Sequence, residues 1–190
     1  MVNSVKRSAA AIFLLSLLMP VYTEASATVG FRALIGSNTD GCSVVVPERT
    51  LNFSALKTRN LNGGITTHEI LPLQIALFCQ NANSPVIPSL TVTGSTPYTG
   101  TSDTVFLDGP ENGAGFMVRR SDGGTPSLTD FYNTGEAVAN NGEPVVMTLL
   151  DSGNSYYSEE TFLVGLVGPL GSSVVPGAFS ASLVVNVLFQ

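Results

Sequence analysis

Tryptophan is absent, histidine occurs once, cysteine twice, and charged residues make up only 12% of the 190-residue chain. Each shortage excludes a class of chemistry. With His68 alone, a Ser-His-Asp constellation or a His-based metal site would have to be built on one ring. That ring sits in Thr66-Thr67-His68-Glu69 behind Gly63-Gly64, where a solvated surface loop is expected. The pair Glu159-Glu160 and the scattered aspartates show no convergent partners, so paired-carboxylate catalysis has no support. Without Trp, a sugar platform would rest on Tyr98 or Tyr156-Tyr157, which read more simply as packing at the rim of a sheet. Neither an enzyme nor a cofactor is implied.

The one stretch of concentrated basic charge and apolarity at the start is a targeting segment. Lys6 and Arg7 precede an apolar run from Ser8 to Val21, too short to span a bilayer, and Ala25-Ser26-Ala27 is an A-x-A cleavage site. Cleavage is expected after Ala27, with Ala25 as the alternative, so residues 1–27 are read as a signal peptide. The remainder is enough for one domain with a real core. It carries six basic and 13 acidic residues, a net charge of −7. No basic patch exists to release counterions, which excludes nucleic acid as a partner. An exported chain with two cysteines most simply forms a disulfide, and Cys42–Cys79 would close a loop contributing roughly 4 kcal/mol. A catalytic or metal-binding thiol pair is the alternative, but the spacing is not CxxC and no His cluster lies near.

What remains alternates. Val29, Phe31, Ala33 and Ile35 share one face of a strand, broken by Ser37-Asn38-Thr39-Asp40-Gly41. Cys42, Val44 and Val46 follow, then Leu51 and Phe53. Ile70 to Cys79 is the clearest interior strand, with Leu71, Leu73, Ile75, Leu77 and Cys79 on one face and Pro72 at its edge-like start. Short runs at Leu90–Thr93, Val105–Leu107, Gly115–Arg119, Val145–Leu149 and Thr161–Val167 alternate with Gly/Asn/Asp turns. No capped helical stripe occurs. An all-β sandwich follows, with a disulfide expected between its two sheets.

The C-terminal stretch is the anomaly. Gly177 leads into Phe179, Ala181, Leu183, Val185, Val187 and Phe189, an apolar face at strand period, and no charge follows Glu160. Such a strand is normally buried centrally or blunted by Lys, Pro or a bulge. Nothing follows it in the chain to cover its far side.

These features together resemble the subunits of bacterial chaperone–usher pili. The resemblance is carried by the signal peptide, the first Cys in DGCSVVVPERTLNF, the second ending ILPLQIALFCQNA, Gly177 fourteenth from the end, and the penultimate aromatic Phe189. It implies an incomplete immunoglobulin-like sandwich lacking its C-terminal (seventh) strand, with one disulfide. It also implies a donor-strand extension at 28–40 and a pilin domain at 41–190. Val29, Phe31, Ala33 and Ile35 would be donated to a neighbour, with Ala33 where the family usually has Gly. Gly177, Phe179, Ala181, Leu183, Val185, Val187 and Phe189 would line the acceptor groove and bind the chaperone. The implied partners are a periplasmic chaperone, an outer-membrane usher and neighbouring subunits. The implied destination is the cell surface by way of the periplasm. A minor or adaptor-like structural subunit supporting adhesion fits the length. The alternative is a single-domain tip adhesin binding a host receptor.

Overall fold

The computed structural model describes residues 25–37, 41–57, 60–61, 63–171 and 174–190; most of the expected signal peptide lies outside them. Ten strands form two sheets: β1 (Ala25–Ser37), β2 (Cys42–Val45), β3 (Thr50–Leu56), β4 (Thr66–Cys79), β5 (Pro88–Thr93), β6 (Val105–Phe106), β7 (Gly115–Arg120), β8 (Val145–Val146), β9 (Tyr157–Gly168) and β10 (Phe179–Phe189). One sheet runs β3-β1-β10-β5-β8 and the other β2-β4-β9-β7-β6. There is no α-helix among the described residues; a 3-10 turn at Ser152–Asn154 is capped by Asp151.

The alternation read from the sequence translates into burial. Along β10 the odd residues from Ala181 to Phe189 are buried, and in β4 Leu73, Ile75, Leu77 and Cys79 face the same core. Phe116 stands at the centre, with ring centroids 5.2 Å from Phe53 and 5.5 Å from Phe179, joining the two sheets. A second apolar layer covers the outer face of the β9-containing sheet. There Phe131 packs with Leu163, Val167, Met117 and Tyr98. This layer requires Gly165, because a Cβ at that position would fall on the Phe131 ring.

Three expectations are corrected. Cys42 and Cys79 are bonded, but between adjacent antiparallel strands β2 and β4 of one sheet rather than across the sandwich, because the register sets them directly opposite. His68 is not on a loop. The strand begins earlier than the Ile70 expected, and His68 lies half-buried in β4 at a bulge between Thr67 and Glu69. Its Nε2 has no hydrogen-bond partner, and burial pushes its pKa below the ordinary value of 6.5.

The third concerns the end of the chain. β10 is flanked on both sides by its own molecule: β5 antiparallel on one side and β1 parallel on the other. Residues 41–190 alone do leave a strand-wide gap between β3 and β10. The N-terminal segment of the same chain fills it. Its alternating apolar face turns Ala27, Val29 and Phe31 into the core.

Candidate functional site: the strand slot beside β10

The slot is walled by β3 and β10 and floored by the core. β3 supplies Leu51 and Phe53, both buried. β10 supplies the inward residues Ala181, Leu183, Val185 and Val187. β1 lies between them in register, with Val29 opposite Ala181, Phe31 opposite Leu183, Ala33 opposite Val185 and Ile35 opposite Val187. The expected donor and acceptor residues are therefore brought together, within one molecule.

They do not contribute equally. Val29 and Phe31 are buried, Ala33 is half-buried, and Ile35 is 39% exposed. The pairing explains the gradient. β3 accompanies β1 only from Ala25 to Gly30, and the register with β10 shifts between Ile35 and Ser37. The second half of β1 therefore keeps only its β10 partner in the ladder and rises to the surface. Burying Val29 and Phe31 supplies on the order of 3–6 kcal/mol before the ordering cost of the segment.

Ala27 is an anchor the sequence reading missed. It is 2% exposed, opposite Phe53 on β3 and Phe179 on β10. Its parity with Val29 and Phe31 was a legible signal, obscured by its place in the A-x-A cleavage site.

At the mouth of the slot, Gly177 lies just ahead of β10 rather than within it. It adopts φ +146°, which an L side chain rarely takes. A cleft of about 280 Å³ lies here, lined by Asp108, Pro110, Asn112, Gly177 and Phe179 among others. The Asp108 carboxylate accepts hydrogen bonds from the Ser182 amide (3.2 Å) and hydroxyl (2.9 Å) and from the Ser180 hydroxyl (3.3 Å). The β6–β7 turn thereby pins the start of β10 from the opposite sheet.

The slot's inward-facing side chains are apolar, and no group of three or more His, Cys, Asp or Glu positioned to hold a metal occurs among the described residues. The geometry binds an extended apolar strand, reading alternate side chains in pockets and the backbone by ladder hydrogen bonds.

The fold is a β-sandwich in which the N-terminal strand of the chain fills a slot between β3 and β10. The family model described as "Fimbrial protein" matches residues 29–190, and the chain belongs to that family. Its fold is similar to the P pilus rod subunit PapA (TM-score 0.57, 22% identity, covering 79% of this chain and 99% of that one). It is also similar to a subunit in a chaperone–usher pilus structure concerned with rod uncoiling (TM-score 0.57, 18% identity, all of both chains). No curated protein sequence matches the chain.

Proposed function

We propose that this fimbrial protein is a structural subunit of a chaperone–usher pilus, joined to its neighbours by exchange of β1. The observation that carries the reading is that the N-terminal strand β1 fills the slot between β3 and β10 with its alternate apolar side chains. The contacts β1 makes at home are those it would make in the slot of a second copy, so exchange conserves most of the energy. Only tether geometry and concentration decide between the two. In this reading the donor extension, expected at 28–40, starts two residues earlier to include Ala27, and 41–190 is the acceptor domain.

Self-closure also gives a reason for the proposed periplasmic chaperone. A strand lent by the chaperone would keep the slot occupied while β1 stays free, and an outer-membrane usher would then hand the slot to the next subunit. The fibre would reach the cell surface and support adhesion there. The burial of Ala27 favours signal cleavage after Ala25, which retains that anchor; mass measurement of the exported chain should give Ser26 as its first residue.

The test is complementation in trans. A variant with Phe31→Asp, which expels its own strand, should bind a synthetic peptide of residues 26–36 and regain thermal stability. The same peptide carrying Phe31→Asp should do neither. If the variant keeps its disulfide and β-sheet circular dichroism but ignores the wild-type peptide, the exchange reading is lost.

A further inference from the structure

Withdrawal of β1 from the slot would leave one wall without a ladder. β3 is the end strand of its sheet, and among the described residues it pairs only with β1. Without β1 it keeps the packing of Leu51 and Phe53 on the core, Phe53 against Phe116. Such packing is non-directional and does not fix where a strand sits along its length.

A polar tie does fix it. The Glu69 carboxylate accepts hydrogen bonds from the Ser54 backbone amide (2.6 Å) and hydroxyl (3.1 Å). Ser54 stands where the β1–β3 register shifts, between the Ala27–Phe53 and Ala25–Leu56 pairs. Glu69 belongs to the opposite sheet, directly after the β4 bulge at His68. It lies opposite Leu166 and in step with Leu71, Leu73, Ile75 and Leu77, so it is the one charged member of the core-facing row of β4. At the rim of the sandwich that row reaches across to β3. Among the described residues, no other hydrogen bond ties β3 to the sandwich apart from those with β1.

We infer, on the strand-exchange reading, that Glu69 is a positioning residue for strand entry: from the opposite sheet it holds β3 in place as a wall of the slot while the slot is empty. In the filled slot β1 holds β3 as well. The carboxylate therefore matters most before a strand arrives, and its loss acts on how fast a strand enters rather than on how fast one leaves.

Two measurements on the Phe31→Asp chain, whose own strand is expelled, test this, with Val29→Asp as a second background. The first is amide deuterium uptake at residues 50–56 with no peptide present. Adding Glu69→Ala should speed uptake there about tenfold, the loss expected for a hydrogen bond to a charged group. Glu69→Gln, which keeps an acceptor oxygen, should restore most of the protection. The second is stopped-flow binding of the peptide of residues 26–36. Glu69→Ala should lower the association rate about tenfold and change dissociation less than about threefold, and Glu69→Gln should recover the rate. Unchanged uptake at 50–56, or an effect of Glu69→Ala carried by dissociation, would overturn the role. If the Phe31→Asp chain ignores the peptide altogether, strand exchange fails, and the uptake measurement still decides whether Glu69 holds the wall.

Discussion

At the scale of single residues, two titrating groups make the fold sensitive to acid in different pH windows. Burial alone would raise the Glu160 pKa, but hydrogen bonds from Thr148 and the Arg120 guanidinium outweigh it and hold the carboxylate below its ordinary 4.5. A depressed carboxylate stabilises the fold above its unfolded pKa and loses that contribution as pH falls through the folded value. His68 is held neutral, so its unfolded form gains a proton first, and stability falls as pH drops below about 6.5 and levels off under the folded pKa. Chemical denaturation across pH 3 to 8 should resolve both slopes. His68→Gln should flatten the upper one, and Glu160→Gln the lower one while costing about 1–3 kcal/mol at neutral pH. Packing gives a third prediction at this scale. Gly165→Ala should destabilise by about 1–3 kcal/mol through overpacking against Phe131, with the urea midpoint as readout.

Among the elements, β1 is the one whose attachment is graded along its length. An aspartate at Val29 or Phe31 should release it, exposing the slot to a hydrophobic dye and making residues 25–37 the first site of proteolysis. The same change at Ile35, already 39% exposed, should leave the closed monomer nearly intact. A dye response at Ile35 equal to that at Phe31 would contradict the register described. Most elements were legible because their period is carried by the residues themselves: Phe179 to Phe189 and Leu71 to Cys79 announce strands and core faces directly. Which strand pairs with which was not. The face formed by Val29, Phe31, Ala33 and Ile35 suits any slot of matching shape, and connectivity rather than local pattern decides whose slot it enters. The bulge that draws His68 into β4 has no signature in Thr66-Thr67-His68-Glu69. The run Thr161–Val167 was read only as a short apolar strand, whereas the structure buries it on both faces from Phe162 onward. Its outer cover, however, comes from Phe131 in a loop with no period at all.

For the molecule as a whole, the disulfide and the slot act on the same quantity. Cys42 and Cys79 are 37 residues apart in sequence, and their bond constrains β2 against β4 directly after the tether of β1. Reduction should cost up to about 4 kcal/mol by removing that loop constraint from the unfolded chain, seen as a lowered Tm under reductant. The closed slot has a further consequence under strand exchange. A monomer that satisfies its own valence presents no reactive end, whereas an opened pair has one vacant groove and one loose strand. Polymerisation of purified subunits should therefore begin with a lag set by opening, and a trace of preformed oligomer should abolish it.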